Sequence, residues 1–246
     1  MSAFLKDEVL IACGTDDLLS FSLLTGQFHE IYTTKRTNEK VLSSTFDAST
    51  KTLLLFILEP DPVRKNDRSL GLYYLVSFGQ NETKWTKMER HLTDLQPDVA
   101  EEFDPDLTVC DSHVLLGDGK EGRLNVFRIY EKHKLKLMGY EFLEKNLYGL
   151  AMTRFGDVWF VAFALETSVS LYRLVSFSPL KLEQRNVSFI GTPHRLLFLE
   201  DLLLVSDWNE TTRSHGILSL RSSGGALNEP RKLLDTVHYG IDYSGL

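Results

Sequence analysis

The sequence predicts an all-β fold, and three observations carry the prediction. Apolar runs are short, about four to eight residues, rich in Val, Leu, Phe and Tyr, and bounded by turn residues, which is the pattern of strands. Helical periodicity is nearly absent. The only stretches that invite a helix are 5–10 and the acidic "QPDVAEEFD" (96–104). Pro97 and Pro105 make the second a loop with one turn at most. The third observation is self-similarity. Five aliphatic runs start at Val9, Leu53, Val114, Val158 and Leu202, at intervals of 44, 61, 44 and 44 residues. Such a period, with several short strands per unit, is the mark of a β-propeller blade. The expected architecture is a single β-propeller of about five four-stranded blades. Six is the alternative if the 61-residue interval hides one.

The elements follow in order. In a blade, strands a to d run outward from a central channel. "VLIACG", "LLLFIL", "VLLGDG", "VWFVAF" and "LLLVSD" read as b strands, continuously apolar because adjacent blades cover both faces. Polar or acidic turns follow each one. The next runs, "LLSFSLL" (18–24), "GLYYLVSF" (71–78), "RLNVFRIY" (123–130), "VSLYRLVSF" (169–177) and "GILSL" (216–220), read as c strands. "KMERHL" (87–92), "KLKLMGYEF" (134–142) and "RKLLDT" (231–236) read as outer strands. "VLSSTF" (41–46), "LYGLAMTR" (147–154) and "PHRLLFL" (193–199) precede b runs and read as a strands. The first unit leaves no room for one, since only "MSAFLKDE" precedes Val9. The closing "VHYGIDYS" has a-strand character. Docked beside Val9–Cys13, it would complete the first blade and close the ring, removing exposed edges. The long interval carries about 17 extra residues, which the loops 59–71 and 94–106 can hold. Residues 1–246 then form one domain.

Composition narrows the function. The chain has 246 residues and a formal net charge of −7, which argues against nucleic acid as a partner. No run approaches the ~18 apolar residues of a membrane helix, and the N-terminus has no signal-peptide pattern. A cytoplasmic protein without a membrane partner is expected. Cys13 and Cys110 read as buried small hydrophobes. No phosphate loop, dinucleotide fingerprint, nucleophile elbow or zinc motif occurs, so no cofactor and no metal are expected. Acids in or near the b–c turns (Asp16, Asp17, Asp118, Glu121, Glu166, Asp207) suit backbone-fixing roles. The remote alternative is a glycosidase pair of carboxyls at the channel mouth. Trp208 in "SDWNE" either packs between blades or anchors a partner. His194 and Arg195 open a channel strand, where they could meet an anionic group. His238 and Tyr239 lie in the closing strand and complete the candidate binding residues.

Three segments also carry a family likeness. "DTVHYGIDYSGL" resembles the D-S-x-x-Y-G-x-D-W-S stretch near the end of WD-repeat diphthine methyl ester hydrolases, with Asp235, Thr236, Tyr239, Gly240, Asp242, Tyr243 and Ser244 matching or conservatively replaced. "GTPHRLLFLEDLLLVSDWN" (191–209) resembles that family's preceding blade through Gly191, Arg195 and Leu202–Leu204. "LIACGTDDL" (10–18) is similar to its early C-G-T-Y-x-L. The resemblance implies removal of a methyl ester from the modified histidine of elongation factor 2, in diphthamide biosynthesis. His194 and Asp207 are the catalytic candidates by position. The family's G-S-Y-D-E and G-G-D-D-G turns are missing. The leading expectation is therefore a WD-like scaffold that binds protein partners, with the ester hydrolase as the alternative.

Overall fold

The structure is a computed structural model. It describes the chain except residues 1, 6–7, 14–16, 34–38, 61–71, 82–83, 94–105, 118–121, 144–146, 190–191, 200–201, 210–213, 224–225, 228–230 and 238–246. The described residues form five antiparallel sheets in chain order, four of four strands and a fifth with one added short strand. The first holds β1 (Ser2–Leu5), β2 (Glu8–Cys13), β3 (Asp17–Ser22) and β4 (Phe28–Thr33). The second holds β5 (Lys40–Asp47), β6 (Thr52–Glu59), β7 (Leu72–Asn81) and β8 (Lys84–Leu92). The third holds β9 (Asp106–Cys110), β10 (His113–Gly117), β11 (Arg123–Ile129) and β12 (Leu135–Phe142). The fourth holds β13 (Gly149–Phe155), β14 (Val158–Ala164), β15 (Ser168–Phe177) and β16 (Leu180–Phe189). In the fifth, β17 (Thr192–Leu199), β18 (Leu202–Asn209) and β19 (Ser214–Ser223) are joined by β20 (Ala226–Leu227) and β21 (Arg231–Val237), both paired with β19.

The five aliphatic runs all become second strands, and the packing explains their composition. In β6, Leu53, Leu55 and Ile57 pack with Leu18, Ile31 and Tyr32 of the first sheet. Leu54, Phe56 and Leu58 face the other way, onto Val114, Leu116 and Phe127 of the third. Both strand faces are dry, so the polar/apolar alternation of a half-exposed strand is absent. The third and fourth sheets share a core around Leu115, Val126, Val161 and Phe163. Ala162, Leu171, Leu203 and Val205 join the fourth to the fifth. Among the described residues no apolar cluster joins the fifth sheet to the first. The first strands β5, β9, β13 and β17 lie side by side in chain order.

Two expectations are corrected. The first unit does have an inner strand: Ser2–Leu5 pairs with β2, from Ser2 opposite Ile11 to Leu5 opposite Glu8. Four residues suffice for a short ladder. β3 takes the other edge of β2, so along Val9–Ile11 the place expected for the chain's end is already taken by β1. Of the stretch 5–10, Leu5 and Glu8–Leu10 lie in strands. The loops 59–71 and 94–106 fall almost wholly outside the described residues, as do "QPDVAEEFD", His238 and Tyr239.

Candidate functional site

Asp106 opens β9, and its carboxylate ties together the first strands of four sheets. Oδ1 accepts from its own neighbour Leu107 N at 2.9 Å and from Ser43 Oγ of β5 at 3.3 Å. The Arg195 guanidinium of β17 approaches the same oxygen at 2.9 Å. Oδ2 accepts from Leu150 N of β13 at 2.8 Å. Four donors occupy about all the lone pairs a carboxylate offers. The side chain is 11% exposed. This group fastens the inner strands of the sheets to one another.

Arg195 reaches Asp106 because β17 is irregular. The register with β18 shifts between Pro193 and Leu196, and Ser206 Oγ accepts from Arg195 N at 3.0 Å in the gap. The anion that Arg195 meets is therefore a carboxylate of its own chain. Pro193 pairs with Asp207, and Thr192 with Trp208. His194 and Asp207 thus sit on adjoining strands, while the side chains of His194, Asp207 and Trp208 lie outside the described atoms. Of the turn acids, Glu166 is exposed and the others lie outside the described residues or side chains. Among the described residues no three His, Cys, Asp or Glu side chains group as metal ligands.

A second charged cluster was not legible in the sequence. Arg90 of β8 bonds Glu39 through Nη1 at 2.7 Å and also pairs with Glu59 through Nη2. It lies over the Tyr74 ring at 3.7 Å, and the Tyr32 hydroxyl donates to Glu39. Glu39 is buried. Its charge is balanced within the cluster, as burial requires.

The third feature is a groove of about 510 Å³ between the third and fourth sheets. Leu143, Tyr172, Leu180 and Leu182 line it together with Glu141, Lys181 and Val175. On the same strand as Glu141, Tyr140 is 54% and Phe142 57% exposed, and Val175 is 59% exposed. The Arg123 guanidinium lies 4.4 Å from the Tyr140 ring centre. Further along the same pair of sheets, His113 stacks on Phe177 at 3.9 Å and meets Trp159 edge-on at 5.2 Å. The Ser178 hydroxyl donates to Met138 O at 3.4 Å, pinning the β15–β16 turn to β12.

Burial perturbs the titration of one cysteine and two histidines. Burial, aided by the charges of Asp111 and Asp47, pushes the Cys110 thiol up to about 11. Native Cys110 is expected to react with iodoacetamide at pH 8 far more slowly than in urea, because the thiolate is the nucleophile. Equal rates would contradict this environment. Burial holds His113 and His133 below the usual imidazole value of 6.5. The unfolded chain therefore takes up protons first as pH falls through about 6.5, and stability present above that pH is lost below it. The melting temperature is expected to drop between pH 7.5 and 5.5, with a shallower drop in a His113→Gln/His133→Gln variant. An unchanged slope in that variant would refute the assignment.

No family model and no curated protein matches the chain. Solved structures do. One is a functionally unknown protein from Desulfotomaculum acetoxidans, with a TM-score of 0.63 and 10% identity, covering 94% of this chain and 68% of the other. Another is the allergen Mala s 1 of Malassezia sympodialis, with a TM-score of 0.63, 10% identity and coverage of 94% and 77%. A third is a "putative 6-phosphogluconolactonase" from Bacteroides uniformis, with a TM-score of 0.61, 11% identity and coverage of 92% and 68%. At these identities the likeness shows the fold alone: this chain is an all-β protein of successive four-stranded antiparallel sheets.

Proposed function

We propose that the chain is a β-propeller-like protein-interaction module whose binding surface is the cleft between the third and fourth sheets. The observation that carries this reading is the 510 Å³ groove with an apolar lining, in which Val175 is 59% exposed. An exposed apolar groove of this kind marks a docking site. The Asp106 carboxylate is spent on holding strands together. A photo-crosslinking amino acid at Val175 tests the proposal in cells. It should give a discrete protein adduct, absent when the same probe stands at Leu24, 78% exposed in the β3–β4 turn. No adduct, or the same adducts from both positions, would defeat the proposal.

The ring would close at the fifth sheet. There β17 carries Leu197 and Leu199 at 60% and 56% exposure, while Leu196 and Phe198 pack on the fourth sheet. Earlier outer strands lead to the inner strand of the next sheet. The ester-hydrolase reading keeps one favouring observation, the Pro193–Asp207 pairing that sets His194 beside Asp207 on the neighbouring strand. Normal processing of the diphthamide precursor in cells lacking the protein would dispose of it.

A further inference from the structure

We infer that the cleft between the third and fourth sheets takes an extended segment of a partner protein that combines apolar residues with a run of carboxylates. The inference rests on the interaction-module reading and adds the chemistry of the partner. It comes from two adjacent cations on the third sheet, Arg128 and Lys136, in line with His113. His113, Arg128 and Lys136 stand directly opposite one another on β10, β11 and β12. Two like charges facing each other across a strand pair destabilise a sheet. Neither Arg128 nor Lys136 has an ion-pair partner among the described residues. Both cations lie near the half-exposed Tyr130 ring, at 5.4 and 5.8 Å from its centre. Lys132 and Lys134, also exposed, occupy the adjoining β11–β12 turn. The nearby carboxylates Asp111 and Asp157 are both committed to Arg154.

This basic spot stands out on a chain with a net charge of −7. It also lies on the strand that continues into the apolar groove: Lys136 is near the start of β12, and Glu141, near its end, lines the groove with Leu143. A small free anion does not fit the observations, because the pair is exposed and has no enclosing cradle. Nucleic acid is disfavoured by the overall acidity and by the apolar lining next to the pair. An acidic segment running into apolar residues satisfies both halves of the cleft.

The probe is a fluorescein-labelled synthetic peptide of four glutamates followed by Ile-Phe-Leu-Val, titrated with the full chain and followed by anisotropy. Binding is expected, weakened at least tenfold by Arg128→Glu/Lys136→Glu and again when glutamines replace the glutamates. Raising salt from 50 to 300 mM should weaken it too. No binding, equal binding by the double variant, or equal binding of the glutamine peptide overturns the inference. So does tighter binding of a single-stranded oligonucleotide, or a light-scattering dimer that the double variant abolishes. A stability readout separates docking from a structural role. Lys136→Glu replaces a like-charge pair with an opposite pair and should raise the melting temperature by about 2–4 °C. A fall would assign Lys136 to holding the sheet and count against docking. If the Val175 crosslinker captures a partner and Arg128→Glu/Lys136→Glu leaves that adduct unchanged, this inference fails while the module reading stands. If neither crosslink nor peptide binding is seen, both fail.

Discussion

Asp106→Ala is expected to lower the unfolding free energy by about 3 kcal/mol, measured from urea denaturation midpoints. The substitution leaves Leu150 N, buried on β13, without its acceptor. It also unpairs the Arg195 guanidinium and releases Ser43 Oγ. Removing one member of a buried pair costs about 3–5 kcal/mol. The lower end applies because the Arg195 side chain is 37% exposed and water can reach it. Arg195→Ala should therefore cost much less than Asp106→Ala, and a double-mutant cycle should show clear coupling between the two. Asp106→Asn, which keeps one acceptor oxygen, should fall between wild type and alanine. A loss below about 1 kcal/mol for Asp106→Ala would mean that the carboxylate does not fasten the inner strands.

Gly79→Ala should cost about 2 kcal/mol through overpacking. A Cβ at this buried position of β7 would stand 2.3 Å from His133 Cδ2 and 2.5 Å from Nε2. The ring is not free to withdraw. Its Nδ1 is bonded to Thr52 Oγ1 at 2.7 Å, and Ser77 Oγ donates to His133 O at 2.6 Å. His133 also holds a left-handed backbone, with φ 59°, in the turn that brings the third sheet against the second. Shortening the ring should relieve the clash, so the pair Gly79→Ala/His133→Ala should lose clearly less than the sum of the single losses. Additive losses would place the strain elsewhere.

Both sites bear on how much was legible beforehand. The aliphatic runs from Val9 to Leu202 marked the second strand of every sheet, because a strand covered on both faces needs apolar side chains at each position. Their successors and three outer strands followed by position. Five strands were missed, among them the two-residue β20. β1 is only "SAFL", β9 is the short "DLTVC", β4 mixes polar and apolar residues, and β16, "LKLEQRNVSF", is largely polar. Outer and terminal strands pack against fewer neighbours, so they carry a weak hydrophobic signal.

The sites divide in the same way. Arg195 was singled out because it opens a channel strand, but its partner Asp106 lies 89 positions earlier in an acidic stretch that reads as loop. Nothing local announces that Ser43, Leu150 N and Arg195 meet one carboxylate, or that Glu39, Glu59 and Arg90 meet. Local patterning and burial are written in nearest-neighbour order along the chain. The sequence by itself determined the all-β class, the repeat and the central strand of each sheet. Only the tertiary structure decided which strand fills the inner place of the first sheet, which charges are neutralised across sheets, and where Arg128 and Lys136 are left facing each other. Those outcomes depend on registers and sheet-to-sheet contacts between residues far apart in the chain.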